Sequence, residues 1–479
     1  MSLSFMDIAG VKLILKLVPN PHDLDRLRSL TARHGQEHLL RFWDALDAAQ
    51  RAQLAQDIGA IDFDLMARLH RDLLQNPSPI HTSEKIKPLE GSSLTSATRA
   101  SMTEAGMKAL REGKAAAFLV AGGQGTRLGH EGPKGTFDIG LPSGKSLFQL
   151  QAERLLKLSK DCGKTVPWYI MTSRDNHAAT TAFFEVNHFF GLNRNDVMFF
   201  SQAELPVLDS NGKVLLAEKG RVSLGPNGNG GCFPALKSSG ALEDMKRRGV
   251  EWVFTYSVDN ALVKVCDPAF IGFTLASNLP AASKAVAKSG PSERVGVFCL
   301  RNDGPSVIEY SEMTPEMCAE KNAQGRLVYG AGNVAMHLFR RDFLEAHADS
   351  SLPYHLARKK IPYVDTLGNV VSPTEPNASK FELFMFDLFP QAPGMAVLEV
   401  ERTEEFAPVK NPTTAGVDSP ATARKLMLDL HRRWASSAGF SEQELEGVEV
   451  EVSPLASYAG EGLNRASFHR DTSRPLLKA

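Results

Sequence analysis

Apolar positions follow three different rhythms along the chain. In the first 75 or so residues, Leu39, Phe42, Trp43 and Leu46 stand at i, i+3, i+4 and i+7, with Arg41, Asp44 and Asp47 between them. That spacing predicts an amphipathic helix whose aromatic stripe packs inward as core. Between Asn76 and Thr98 the periodicity stops, and Pro77, Pro79, Pro88 and Gly91-Ser92-Ser93 mark a boundary or a long connection. The centre alternates short apolar runs with helical stretches. Ala115–Val120, Val166–Met171, Trp252–Val258 and Val295–Leu300 read as buried strands. A helix from about Ser146 carries Phe148, Ala152, Leu155 and Leu156, and another runs through Phe183 and Phe184. This alternation predicts an α/β domain with a parallel or mixed sheet, its ligands gathered beyond the carboxyl ends of the strands. Past about Phe406 the pattern shifts again, to one amphipathic helix through Ala423, Met427, Leu430 and Trp434 and a strand at Val448–Val452. Three segments are therefore expected: a mainly helical 1–100, a catalytic α/β domain at 101–405, and a small α+β domain at 406–479.

Composition narrows the classes. With 54 Lys and Arg against 55 Asp and Glu in 479 residues, the net charge is -1. Such a balance argues against a nucleic-acid-coating protein and requires any basic pocket to be local. The five cysteines, Cys162, Cys232, Cys266, Cys299 and Cys318, are scattered without a C-x-x-C pair and predict buried free thiols. Asp7, Lys12 and Lys16 interrupt the apolar stretch around Val11–Val18, which makes a poor leader peptide. No apolar run approaches the ~18 residues of a membrane span. A cytoplasmic protein without membrane association is the expectation.

Directly after the first central strand comes Ala121-Gly122-Gly123-Gln124-Gly125-Thr126-Arg127-Leu128-Gly129. Glycines let backbone amides approach an anion without a Cβ in the way, and free amides in such a turn form an anion-binding nest. Arg127 adds a planar charged fork, and Pro133-Lys134-Gly135 places a lysine between two turn formers. Two commoner phosphate motifs fail on spacing. A dinucleotide G-x-G-x-x-G begun at Gly123 needs glycine where Leu128 stands, and a G-x-x-x-x-G-K-[ST] loop ending at Gly144-Lys145-Ser146 needs one at Ile139.

The loop and its continuation, Leu119 to Gly135, resemble the L-x-x-G-G-x-G-T-R-L-G and P-K-G motifs of the eukaryotic-type UDP-N-acetylglucosamine pyrophosphorylases. So do Gly35–Trp43, Pro226-Asn227-Gly228-Asn229-Gly230-Gly231, Val258-Asp259-Asn260, Glu309-Tyr310-Ser311-Glu312, Ala331-Gly332-Asn333, Pro408-Val409-Lys410-Asn411 and Ser453–Leu463, in family order and nearly end to end. Asn227 departs from the pattern, where an acidic residue is common.

The resemblance implies a Rossmann-like nucleotidyltransferase domain with a mixed sheet between smaller flanking regions. It implies uridylyl transfer from UTP to a sugar 1-phosphate, giving a UDP-sugar and pyrophosphate with Mg²⁺ (or Mn²⁺). Uridine contacts map onto Val120, Ala121, Gly122, Gly123, Gln202 and Gly228, and sugar contacts onto Asn229, Glu309, Tyr310 and Asn333. Arg127, Lys134, Lys380 and Lys410 map as phosphate-handling cations, with Lys380 on the nucleotide, and Asp259 as the metal carboxylate. The residues themselves leave alternatives open. Taken alone, Gln202 reads as a plain surface glutamine, although its amide suits a pyrimidine edge. Asp259 ends a strand, where it serves a cation or caps a helix. Asn333 fits a turn as well as a sugar. Phe384-Met385-Phe386-Asp387 reads as a strand with packed aromatics, Asp387 being a second candidate metal carboxylate. A broader or glucose- or galactose-specific pyrophosphorylase, and a nucleotide-sugar binder without catalysis, are the competing functions.

Overall fold

The central apolar runs assemble into a ten-stranded mixed sheet in the computed structural model, which describes residues 24–75, 85–471 and 473–479. Its strands are β1 (Ile86–Pro88), β2 (Ala115–Val120), β3 (Trp168–Thr172), β4 (Val197–Ser201), β5 (Trp252–Ser257), β6 (Ala281–Ala287), β7 (Val297–Arg301), β8 (Gly304–Ile308), β9 (Ala331–Arg340) and β10 (Ala396–Glu399). They lie in the order β1-β7-β9-β5-β2-β3-β4, with β6 joined to β9 and β10, and β8 to β7. Pairing is parallel across β5-β2-β3-β4 and antiparallel between β9 and β5. All of β3, and β2 and β5 except their last residues, are buried. A strand covered on both faces needs apolar residues at every position, which explains the unbroken runs.

The chain steps from β2 outward to β3 and β4, then returns to the other side of β2 as β5. Connections therefore leave the carboxyl ends of β2 and β5 in opposite directions, opening the crevice where open α/β sheets bind ligands. The helices around it start on side-chain caps. Ser146 accepts from the Gln149 amide to begin Leu147–Cys162, and Ser173 forms a capping box with Asn176 to begin Arg174–Val186. Phe148, Ala152, Leu155 and Phe184 pack with β2, β3 and β5 residues in one core. Helices Ser96–Arg111 and Pro268–Ser277 cross so closely that backbone carbonyls of Pro268 and Met102 fill the space a Cβ would need at Gly106 and Gly272.

Two compact units cut the sequence differently from the three contiguous segments expected. One takes the described residues of Met1–Pro79 with Glu204–Asn227 and Tyr354–Glu382; the other takes those of Ile80–Ala203 with Gly228–Pro353 and Leu383–Ala479. In the first, Leu27, Leu39, Trp43, Leu46 and Leu54 share a buried cluster with Leu208, Val214, Leu216 and Phe381. In the second, position 101 falls inside the helix Ser96–Arg111. Position 406 is no boundary either. Ala423, Met427 and Leu430 of the helix Pro420–Ser437 are buried in one cluster with Leu128, Ile139, Leu141, Leu147 and Leu150.

Two local expectations are corrected. The stripe from Leu39 to Leu46 packs inward as expected, yet on two short 3-10 turns, Glu37–Leu40 and Trp43–Ala45, rather than one α-helix. Residues 384–387 are not a strand. The strand Ala378–Leu383 ends before them and Met385–Gln391 is a 3-10 turn, with Leu383, Met385, Leu388 and Phe389 buried and Phe384 and Phe386 only half-buried. The Val11–Val18 stretch, Pro77 and Pro79 lie outside the described residues.

Candidate nucleotide-phosphate site

The glycine loop leaves β2 at Val120 and folds back as a hairpin. Gly125 donates to the Gly132 carbonyl, Lys134 donates to the Gly123 carbonyl, and Gln124 faces Pro133 across an antiparallel bridge. The amides of Gly122 and Gly123 have no backbone acceptor among the described residues. They remain available to an anion, as an open nest requires. Gly129, with φ +72°, ends the short turn Thr126–Leu128 and returns the chain toward Lys134. Arg127 on that turn is exposed and makes no ion pair among the described residues.

Two buried contacts, neither foreseen from the sequence, hold this loop. The Asn176 amide donates to the carbonyls of Ala121 at 2.9 Å and Gly123 at 3.3 Å. It is the third residue of the capping box begun at Ser173, a pattern visible in the sequence. Gly135 lies against the Phe148 ring so tightly that a Cβ would stand inside the ring's van der Waals surface. That contact fixes the backbone next to Lys134.

Lys134 Nζ lies 3.8 Å from Asp259 Oδ2, the two side chains being 15% and 20% exposed. Asp259 follows β5 by two residues, and its carbonyl accepts from the Val409 amide at 2.9 Å. Asn260 and Pro408 form an antiparallel bridge alongside. The Pro408-Val409-Lys410 segment is thereby pinned to the loop after β5, and Lys410 follows it as an exposed cation, 5.8 Å from the Phe406 ring. Asp418, also unforeseen, accepts from the Lys410 and Asn411 amides through its carbonyl. Burial pushes its carboxyl above the usual carboxylate range, against the pull of the Lys410 and Arg402 charges. Lys145, the lysine of the failed phosphate-loop reading, is 2.5 Å from Glu153 and also donates to Ser453 Oγ at 3.1 Å.

Gln202 follows β4, is 8% exposed, and anchors its amide N–H on the Thr172 carbonyl at 2.8 Å. A Cβ at position 122 would meet Gln202 Nε2 at 2.8 Å. The glutamine side-chain amide and the bare Gly122 backbone therefore share one wall of the crevice. The structure thus gathers Val120, Ala121, Gly122, Gly123, Gln202, Arg127, Lys134, Asp259 and Lys410 at the carboxyl ends of β2, β4 and β5.

The other expected residues form neighbouring groups. Asn333 lies on β9, where Met336 pairs with Tyr256, so β9 carries Asn333 past the carboxyl end of β5. Its Oδ1 accepts from Ala335 N at 3.0 Å while Ala335 adopts φ +54°, so it serves the turn, leaving its amide NH₂ for other use. The Asn333 amide also donates to the Gly296 carbonyl, and Glu309 Oε1 fills the space beside Gly296. Glu309 and Asn333 are therefore brought together. Tyr310 is 45% exposed beside them in sequence. Gly228, at φ +87°, turns the chain into Asn229, whose side-chain oxygen accepts from Met385 N at 2.9 Å. Lys380 belongs to the first unit, on the strand Ala378–Leu383 beside Gly225.

A divalent cation would find one of the expected carboxylates in the crevice, Asp259. No group of three or more His, Cys, Asp or Glu side chains able to hold a metal exists among the described residues. That donor set fits a hard ion that takes most of its oxygens from substrate phosphates and water. Asp387 sits on the turn Met385–Gln391, its amide bonded to the Phe384 carbonyl.

A glycine hairpin with open amides, cations on it and on the loop beside it, and one carboxylate at a sheet switch point defines a nucleotide-phosphate-handling α/β protein. Residues 64–448 match the family described as UTP–glucose-1-phosphate uridylyltransferase, and the chain belongs to that family. It is 40% identical over 487 residues to the UDP-N-acetylhexosamine pyrophosphorylase-like protein 1 of Homo sapiens, covering 94% of this chain and 96% of that protein. It is 41% identical over 461 residues to the UDP-N-acetylglucosamine pyrophosphorylase of Saccharomyces cerevisiae, covering 91% and 96%. Among solved structures, the UDP-N-acetylglucosamine pyrophosphorylase of Trypanosoma brucei in complex with inhibitor superposes with a TM-score of 0.80 at 29% identity, covering 95% of this chain and 97% of that one.

Proposed function

We propose that this uridylyltransferase makes UDP-N-acetylglucosamine and pyrophosphate from UTP and N-acetylglucosamine 1-phosphate. The observation that carries the reading is the open-amide hairpin with Lys134 facing Asp259 at the switch point. Relatives named for this product, matched over more than nine-tenths of the chain, support the choice of sugar. A phosphate oxygen of the sugar 1-phosphate attacks the α-phosphorus of UTP. The bond from that phosphorus to the bridging oxygen breaks, and the electron pair leaves with pyrophosphate. The nucleophile is already an anion, so alignment and charge neutralisation are the protein's main tasks. Free amides of Gly122 and Gly123 cradle the nucleotide, and the Gln202 amide reads the uracil edge with one donor and one acceptor. Arg127 and Lys134 take up charge on the leaving pyrophosphate, and Lys410 holds the incoming phosphate. Mg²⁺ or Mn²⁺, held by Asp259, would supply further neutralisation of the phosphate oxygens. Asn229, Glu309, Tyr310 and Asn333 are assigned to the sugar.

No helix among the described residues is long and apolar enough to cross a membrane. No disulfide joins any of the five cysteines, which fits the reducing cytoplasm proposed as its location. The test is pyrophosphate release from UTP with N-acetylglucosamine, N-acetylgalactosamine, glucose and galactose 1-phosphates. The N-acetylglucosamine substrate should turn over fastest. Equal rates with glucose 1-phosphate would remove the sugar assignment, and no release with any of the four would leave a binding protein.

A further inference from the structure

Asn260 touches no substrate in the reaction proposed above, yet it is 3% exposed and its side-chain amide is fully used. Nδ2 donates to the Glu405 carbonyl at 2.7 Å and lies 3.7 Å from Met336 Sδ on β9. Oδ1 accepts from the amides of Ala407 at 2.9 Å and Leu262 at 3.1 Å. An asparagine amide offers two donors and two acceptor positions, and all four are taken. One side chain thus clasps the loop after β5 to the segment that leads to Lys410. At its far end that segment is anchored by charge. Glu405 is 2% exposed, and its carboxylate meets the buried ammonium of Lys284 on β6, with Lys264 at 3.5 Å. Lys284 is also 2.6 Å from Asp267, the cap of the helix Pro268–Ser277. From Ala407 the chain needs only three more residues to reach the exposed Lys410. Along this stretch the two segments share two backbone bonds among the described residues, Ala261 N to Ala407 O at 3.0 Å and Val409 N to Asp259 O at 2.9 Å. Pro408 has no N–H to add a third. The Asn260 side chain contributes two more, to Glu405 and Ala407, and so supplies half of the attachment.

We propose that Asn260 is a positioning residue for Lys410, setting that ammonium's place relative to Asp259 and Lys134 so that the sugar 1-phosphate meets UTP in line. The inference rests on the role given to Lys410 under the proposed function. The test is a double-mutant cycle of Asn260→Ala and Lys410→Ala in the full chain. It reads kcat/KM for N-acetylglucosamine 1-phosphate at saturating UTP and, separately, affinity for UTP alone by equilibrium dialysis. Asn260→Ala keeps both backbone bonds and should lower kcat/KM by about 10- to 100-fold, the effect of displacing a reacting group by about an ångström. UTP affinity should stay as it is, because the glycine hairpin and Gln202 are untouched. The loss passes through Lys410, so Asn260→Ala added to Lys410→Ala should cost little more than Lys410→Ala alone. A merely structural role would give additive losses. Additive losses, an equal fall in UTP affinity, or normal kinetics in Asn260→Ala beside an impaired Lys410→Ala overturns the proposal and leaves the role of Lys410 standing. Normal kcat/KM in Lys410→Ala removes that role, and the proposal falls with it. Should Asn260→Ala fail to fold, Asn260→Asp carries the same cycle, since it keeps the acceptor oxygen and loses only the donor to Glu405.

Discussion

Gly122→Ala isolates the contact between the glycine hairpin and Gln202. A methyl group at 122 would lie 2.8 Å from Gln202 Nε2 and 3.3 Å from its Cδ, while the nearest backbone atom, Ser173 N, is at an ordinary 3.5 Å. The clash therefore falls on the far end of a flexible side chain, and the fold should accommodate it by swinging Gln202 away. The backbone at 202, tied to the Thr172 carbonyl, stays in place. On the role proposed for Gln202, the loss is its hydrogen bonding to the uracil edge, about 0.5–1.5 kcal/mol for a neutral pair, or roughly 2- to 10-fold in affinity. KM for UTP should rise by that factor, with kcat and the melting temperature nearly unchanged, because this binding is uniform between ground and transition states. Gln202→Ala should produce the same rise. The double variant should be no worse than either single one, since Gln202→Ala removes both the hydrogen bond and the obstacle. Initial rates of pyrophosphate release across UTP concentrations measure all four proteins. Strictly additive losses would show that position 122 acts on UTP by another route, and unchanged KM in both single variants would take Gln202 out of the uridine site.

Other outcomes follow from the same geometry. Lys134→Ala should lower kcat by about 10²- to 10³-fold with an intact fold, as for other preorganised charge stabilisers, measured by turnover and circular dichroism; near-normal turnover would end its assignment. Gly135→Ala should destabilise the second unit by about 1–3 kcal/mol through overpacking on Phe148, and Phe148→Leu in the same chain should recover part of the melting temperature; no recovery would mean that the strain lies elsewhere. Burial drives His337 down to about 3, and burial with the Arg154 charge does the same for His431. Both are neutral when folded while the unfolded chain protonates them near 6.5, so each should cost up to about 1.4 kcal/mol per pH unit as pH falls from 6.5 toward 3, and nothing above 6.5. Denaturant midpoints across pH 4–8 check this, and His431→Gln should flatten the acid slope; an unchanged slope would refute the attribution.

What the sequence disclosed was governed by local rules. The β2 run, the Ser146 start of the following helix and the hairpin glycines each depend on neighbours within a few residues, and each is found where the pattern put it. The composition of the first unit was illegible because Phe381 and Leu208 pack onto Leu39 and Trp43 across more than a hundred residues of chain. No periodicity spans such a distance. The same is true of the helix Pro420–Ser437: its amphipathic face was plain, but not that it meets Ile139 and Leu147. Residues 384–387 misled through their alternating aromatics, a strand-like period carried here by a 3-10 turn. Within the candidate site, Arg127 and Lys134 stood out by charge in a glycine context. Asn176 did not, because a capping residue looks the same whether or not its amide also reaches another loop.

On the role proposed for Lys134, its pairing with Asp259 explains how a chain of net charge -1 can keep a site ready for two polyanions. A lysine largely withdrawn from water and left unpaired would be penalised by desolvation, and a fully exposed one would be mobile and screened. Opposite a carboxylate at 3.8 Å, longer than a close hydrogen-bonded ion pair, the ammonium is held in position without being consumed. In the proposed reaction, an arriving phosphate oxygen would then complete the shell of a cation whose desolvation cost was already met in folding. The hairpin bond from Lys134 N to Gly123 O and the Gly135–Phe148 contact fix the backbone that carries it. Preorganisation of the charge is therefore a property of the backbone on either side of the lysine, and a substitution at 135 should disturb catalysis even though residue 135 offers no side chain to the reaction.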